Sequence, residues 1–465
     1  MARCRIVAVV VITGCVLAAC GQSTNGTPHS SAPSSSTTTT TNSTNSGATP
    51  AASQWLTYHG DIARSGNAMS EPNVSAVGQA WRAKLDGQVY AEPLVDGDRV
   101  IAATENDTVY SLDVSTGQVE WSTSLGAPMP GSALPCGNID PSGITGTPVI
   151  DLTDGVVWIV AFVEPGRHQL VAVDLADGRV RSRQSITLPG VNELAEQQRG
   201  ALTLEHGNVY IPFGGLFGDC GQYRGFVMSF PTTGSGAQGT FTVPTPREGA
   251  IWAPPGPVVD SAGSLFVATG NGASASTYDD GDSVIALSPA LQVVGTFAPS
   301  NWVQLNQNDL DLGSVSPTLV DNEIFQIGKE GVGYLLDAHT LGGIGGQLSD
   351  GQVCSAGAFG GTAVDGSVII VPCLDGLKAV QVEPNHTFHI AWSQASVVSS
   401  APVVAAGRVW AVTRNGQLAE LNEQTGAVVL TEPVGTEATS FPSLAVAGGR
   451  LFAQGGNTIV AFSGI

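Results

Sequence analysis

The side chains of this chain that could do chemistry fall into three groups. Asp279, Asp280 and Asp282 gather three carboxylates around Gly281, the composition of a loop that holds a hard cation. The distal Glu that completes an EF-hand is missing, so the run reads as an acid-rich solvated turn before a strand. His386 and His389 share an HxxH, but it follows Pro384 with Glu383 as the one nearby acid, which is no metal spacing. The third group is seven cysteines, none adjacent to another and none in a CxxC. The chain holds no GxSxG, HExxH or Walker loop, so hydrolase and nucleotide readings lose their support.

The elements that must position these residues are strands. The 59 Gly and 27 Pro among 465 residues argue against long helices. From Tyr90 to Trp121 the apolar residues come in short β-branched clusters split by turns at Asp96-Gly97-Asp98 and Ser115-Thr116-Gly117, with no helical period. The window VYSLD (109–113) recurs as LVAVD (170–174), FVMSF (226–230), VIALS (284–288), GYLLD (333–337), LKAVQ (377–381), LAELN (418–422) and IVAFS (459–463), making eight units. Each window follows a second strand that begins near a Gly or Asp turn, and in six of the eight units a Pro marks a short innermost strand before that. A fourth strand follows most units, but the last unit stops at Ile465 with three, while QAWRAKL (79–85) precedes the first unit without partners. The pattern predicts an all-β, eight-bladed β-propeller of four-stranded blades, closed by the N-terminal strand completing the last blade. An open solenoid would leave both ends bare.

The net charge of −21 with no basic arm repels phosphate backbones, so no nucleic-acid partner is expected. Arg3 and Arg5, the apolar run Ile6 to Leu17 and Leu17-Ala18-Ala19-Cys20 resemble the signal and lipobox of bacterial lipoproteins. The resemblance implies a signal peptide over 1–19 and a fatty-acyl (palmitate-type) anchor on Cys20. The chain is then expected at the extracytoplasmic face of the cell membrane. Residues 20–53 are rich in Ser and Thr and read as a disordered tether, leaving 54–465 for the propeller. Four cysteines remain beyond the anchor, with three possible connectivities. We favour Cys354 with Cys373, only 19 residues apart, and Cys136 with Cys220.

The repeat with its Trp, its LD or VD window and its TG turn is similar to the quinoprotein repeat. That repeat occurs in pyrroloquinoline-quinone (PQQ) dependent dehydrogenases and in the propeller lipoprotein of outer-membrane assembly, and both enzymes and scaffolds carry it. In the middle units, GAIWAPPGPVVD, TGNG, NDLDLGSVSP and GKEGVGYLLD resemble dehydrogenase segments in the same order. The resemblance implies Trp252 as a ring-stacking residue, Asn271 as a calcium ligand, Asp309 or Asp311 as the catalytic base and Lys329 as a cation near the quinone. Those residue types suit quinone chemistry, which needs an aromatic face for a planar cofactor, oxygens for calcium and a carboxylate to take a proton. Two departures stand against it. Where the dehydrogenases place a calcium-binding Glu, FGGLFGDCGQYRG offers Leu216 and Asp219, of which Asp219 is the candidate metal ligand beside Asn271, and their adjacent cysteine pair has no counterpart. The expectation is therefore a lipid-anchored binding module for an envelope protein partner or a small ligand in the central funnel. The alternative is a PQQ- and calcium-dependent dehydrogenase of alcohols or sugars.

Overall fold

Each of the eight repeat windows forms the third strand of its own antiparallel sheet, in the computed structural model, which describes residues 54–68, 76–435 and 440–465. The expected signal peptide, lipidated Cys20 and tether lie outside the described residues. The eight sheets are the blades of a β-propeller, numbered here in chain order. Their innermost strands are short: Leu94–Asp96, Val149–Asp151, Thr203–Glu205, Val258–Val259, Thr318–Val320, Ala363–Asp365, Val403–Ala405 and Leu444–Ala447. Second and third strands are apolar on both faces because each blade packs against two neighbours; all eight residues of Val156–Val163 are buried. Outer strands alternate toward solvent, as in Val119–Ser124. In the eighth sheet, Gly78–Lys84 runs antiparallel to Thr458–Ser463, from Gly78 opposite Ser463 to Lys84 opposite Thr458.

The Trp and the TG turn of the repeat explain each other. Trp121, on the outer strand of blade 1, donates its indole N–H to the Leu175 carbonyl of blade 2 at 3.1 Å. A Cβ on Gly178 would meet that ring at 2.6 Å. The same pairing joins Trp392 of blade 6 to Glu423 (2.7 Å) and Gly426 of blade 7, and Trp81 of blade 8 to Val114 (2.9 Å) and Gly117 of blade 1. A turn glycine is needed twice over, for its positive φ (+70° at Gly117) and for the flat ring lying against it.

The stretch Gln54–Ala68 had no assignment from its residues. It crosses the propeller and ties the inner strands, or the residues leading into them, of six blades. Trp55 and the His59 amide donate to Glu92 (2.7 and 2.8 Å), Ile150 donates to Leu56 and Arg64 to Leu202. Val259, Val364 and Val404 donate to Ile62, Ser65 and Gly66. Both disulfides form as expected, Cys136–Cys220 and Cys354–Cys373.

Candidate functional site

Blades 4 and 5 bring five of the expected residues into one cluster. Trp252 lies in the loop entering the inner strand of blade 4, and Asn271 follows that blade's second strand, Leu265–Ala268. Asp309 and Asp311 follow the short helix Trp302–Gln307, and Lys329 sits in the turn between Glu323–Ile327 and Val332–Asp337 of blade 5. The Lys329 ammonium lies 2.8 Å from an oxygen of Asp309 and 2.8 Å from one of Asp311. The Asn271 side-chain amide donates to the same Asp309 oxygen (2.9 Å) and its backbone N–H to Asp311 (2.9 Å). Lys329 also stands 6.0 Å from the Trp252 ring centroid. The glycines of TGNG and GKEG permit this closeness: a Cβ on Gly270 would lie 2.7 Å from the Asp311 carboxylate, and one on Gly328 would lie 2.4 Å from the Asp311 carbonyl.

The electrostatics follow from burial against pairing. Burial works against the charge on Lys329, but Asp311 and Asp309 outweigh it and hold the ammonium above its usual range. Burial raises Asp311 although Lys329 pulls it down. The acid-rich run proves not to be a wholly solvated turn: Asp282 is fully buried and accepts from the Leu312 amide at 3.1 Å. Burial, then the charge of Asp311, pushes its carboxyl up to about 8. Nothing in the spacing of DDGD separates Asp282 from its half-buried neighbours Asp279 and Asp280, so its role was invisible until blade 5 closed over it.

Asp219 does not join this cluster by any hydrogen bond. It is exposed, accepts from the Tyr223 hydroxyl at 2.5 Å and takes an Arg247 bond at its carbonyl. Leu216 is buried against Met129 and Phe162 and offers no ligand atom. His386 and His389 pair with different acids, Glu323 (2.5 Å) and Glu383 (3.2 Å), and form no joint site.

A further group of residues was missed. Phe359 and Phe441 pack at a tilt on Trp252, with centroids 6.3 and 6.0 Å away, and Arg199 lies over Phe441 at 4.5 Å. A pocket beside them is lined in part by Tyr90, Thr145, Arg199, Pro254 and Ser440. Each of these five stands four residues before the inner strand of its blade. Phe359 holds the same position in blade 6. The Pro mark of the inner strand is missing in the units that carry Arg199 and Phe359, so the register shows only once all eight inner strands are placed.

Whether PQQ and calcium suit these residues turns on the donors. The Asn271 side-chain oxygen is buried without a partner among the described residues and could ligate a cation. The Asp309 oxygen beside it already bears Lys329 and Asn271, and the expected carboxylate near 216 is absent. Phe359 and Phe441 stand against the Trp252 ring that a planar cofactor would cover. The cluster therefore has an aromatic ring, a carboxylate and a cation but not a calcium-ligand set.

Among solved structures the chain is similar to a quinohemoprotein alcohol dehydrogenase from Comamonas testosteroni, at TM-score 0.69 and 17% identity over 88% of this chain and 80% of that one. It is also similar to a europium-containing methanol dehydrogenase, at 0.67 and 14% over 88% and 98%. BamB from Moraxella catarrhalis aligns at 0.59 and 16% over 83% and 100%. At these identities the likeness is one of fold. No curated protein matches the chain in sequence. Residues 43–213 and 356–464, more than half of the chain, match one family. By that match, and by the quinoprotein-type blades just described, the chain belongs to the family described as outer membrane protein assembly factor BamB.

Proposed function

We propose that this chain is a binding propeller of the cell envelope, anchored by a lipid on Cys20, reaching out on residues 20–53, and engaging a protein partner or a small ligand at its funnel. The observation that carries this reading is the self-contained state of the central cluster. Lys329, the one cation there among the described residues that could stabilise a reduced quinone, is bridged at 2.8 Å to both Asp309 and Asp311, and Asn271 bonds to the same two acids. A base and an electrophile that neutralise each other favour a structural or recognition role over proton transfer. Membership of a family described as an assembly factor supports a protein partner.

A second reading has one observation in its favour: Trp252, Asn271, Asp309 and Lys329 do meet in one place, as a PQQ-dependent dehydrogenase needs. If PQQ were bound it would supply the two-electron acceptor; Asp309 or Asp311 would take the alcohol proton and Trp252 would cover the ring.

The two readings separate in one titration. The mature chain is mixed with calcium and PQQ while tryptophan fluorescence is followed. We expect no saturable quenching; saturable quenching together with alcohol-dependent reduction of an artificial acceptor replaces the binding reading with the dehydrogenase. Crosslinking in intact cells completes the test. The wild type should capture a partner in the membrane fraction and Cys20→Ser should leave that fraction; retention of Cys20→Ser in the membrane refutes the anchor.

A further inference from the structure

Cys354 and Cys373 join two segments that other bonds already hold together. Cys373 ends the second strand of blade 6, Val368–Cys373, and pairs across a two-residue turn with Gly376. Cys354 lies in the link from the outer strand of blade 5, Ser349–Gln352, to the inner strand of blade 6. The Val353 and Cys354 amides both donate to the Gly331 carbonyl, at 2.9 and 3.0 Å, and the Gln352 side-chain amide donates to the Cys354 carbonyl at 2.6 Å. Further along the link, the Ala358 amide donates to Gly328, and the Leu374 amide of the turn donates back to Gly357. No sulfur takes part in these bonds, so the backbone sets the two cysteines side by side independently of the disulfide.

Asp375, two residues after Cys373 in the same turn, adds a third group. Three donors use one oxygen of its carboxylate: Oδ2 accepts from the Ser355 amide (3.3 Å), the Ser355 hydroxyl (2.7 Å) and the Lys378 ammonium (2.8 Å). Lys378 also donates to the Val353 carbonyl at 2.7 Å, which fixes it in place. The other oxygen, Oδ1, is buried and has no partner among the described residues. Burial works against the charge of Asp375, but the bonds from Lys378 and Ser355 outweigh it and hold the carboxyl below its usual range. One ligand atom from each of Cys354, Cys373 and Asp375 lies within 4.8 Å of the other two. Both cysteines are 0% exposed while the Asp375 side chain is 27% exposed, so the trio lies just beneath the surface.

We propose that in its dithiol form the chain binds one thiophilic divalent cation, zinc above all, through the Cys354 and Cys373 sulfurs and the Asp375 carboxylate. Zinc takes sulfur at roughly 2.3 Å and carboxylate oxygen at roughly 2.0–2.2 Å in a tetrahedron, whose ligand atoms then stand roughly 3.5–3.8 Å apart. That fits within the 4.8 Å that encloses the trio, and the fourth position is left to water. The charges close as well. Two thiolates, one carboxylate and the Lys378 ammonium sum to −2, which a divalent ion cancels; in the disulfide form Asp375 is already matched by Lys378 and no charge is left to offer. Sulfur donors favour zinc over calcium or magnesium. Binding moves no electrons: two S–H bonds release their protons to water and two S–metal bonds form. Loss of two electrons and two protons to a disulfide oxidant gives the metal-free form, and a dithiol reductant reverses it. A bridging ion ties the same two segments as the disulfide, so the link that carries Phe359 stays clamped in either state. The site stands apart from the funnel and holds whatever the funnel binds.

Cd2+ is the probe, because its bond to thiolate absorbs in the ultraviolet, and Zn2+ is followed by calorimetry. The full mature chain is produced and kept under a phosphine reductant, which brings no thiol of its own, and is compared with the oxidised chain. Under reduction, the variant carrying Cys354→Ser and Cys373→Ser should take up one ion fewer than the wild type; oxidised, the two should take up the same number. Asp375→Asn keeps both thiols and should bind at least about tenfold more weakly, since losing a ligand costs no less than losing a residue that orients one. Equal uptake by the reduced wild type and the double serine variant, uptake only by a chain that has lost its melting transition, or unchanged affinity in Asp375→Asn overturns the proposal. If the double serine variant does not fold, Asp375→Asn, with its disulfide and fold intact before reduction, still decides.

Discussion

Replacing Lys329 by Met asks whether the central cluster is held for stability or kept for chemistry. Lys329 is 19% exposed at its side chain and Asp311 11%, whereas Asp309 is 68% exposed. Removing one partner of a buried pair costs roughly 3–5 kcal/mol, and the exposure of Asp309 discounts its share. We expect Lys329→Met to cost about 2–3 kcal/mol at neutral pH, nearly all of it through Asp311. The loss should depend on pH with a definite sign. Burial already raises the Asp311 carboxyl, and without Lys329 it rises further. A carboxyl whose folded pKa lies above its unfolded one weakens the fold as pH climbs from the unfolded value toward the folded value. The deficit should therefore be small at pH 4–5 and full at pH 8. Adding Asp311→Asn should restore most of it. Urea denaturation of the four proteins of this double-mutant cycle measures the coupling directly. A Lys329→Met protein as stable as the wild type, or more stable, would refute the reasoning, since residues retained at a cost for function behave that way.

Two further outcomes follow from the fold. Gly117→Ala places a Cβ 2.4 Å from the Trp81 ring at φ +70°, while Gly207→Ala, at φ +71°, meets nothing within 4 Å. The first should cost about 2–4 kcal/mol and the second about 1 kcal/mol; equal costs in thermal unfolding would mean that the Trp-on-glycine contact between blades contributes nothing. Burial raises Glu92 and Asp107 to about 8 and Glu196 to about 9, each a group that weakens the fold as pH rises from about 4. Burial lowers His59 and His168 to about 3, which weakens the fold as pH drops below their unfolded value near 6.5. The acids outnumber the histidines, so the melting temperature should be higher at pH 5 than at pH 8, and the reverse order would contradict this assignment.

The blades were legible because their signal is local. The windows at 109–113 and 459–463 are third strands since a β-branched run between two turns can do little else, and the same holds for the six between them. The cysteine pairs were legible for the same reason of proximity and parity. The acid run at 279–282 was misread because burial of Asp282 depends on Leu312, 30 residues away, coming over it. Arg199, Phe359 and Phe441 carry no motif at all; they matter because the ring brings blades 3, 6 and 8 to one axis. Gln54–Ala68 was passed over because its role is to bond to six blades, and no property of fifteen adjacent residues reports such partners.

The propeller separates what holds it together from what faces its axis. Trp81, Trp121 and Trp392 each dock on a glycine of the next blade, near the outer strands, and substitution there weakens the ring whatever it binds. The position four before each inner strand takes Tyr, Thr, Arg, Pro, Ser and Phe in turn, so it is not dictated by the blade. A position free of the repeat's packing rule can be altered to suit a ligand at little cost in stability. That is why an enzyme and a scaffold can share these blades, and why the eight side chains around the axis discriminate between them better than the fold does. Here those eight include one cation and no acid, while the acids gather at Asp282, Asp309 and Asp311 around Lys329.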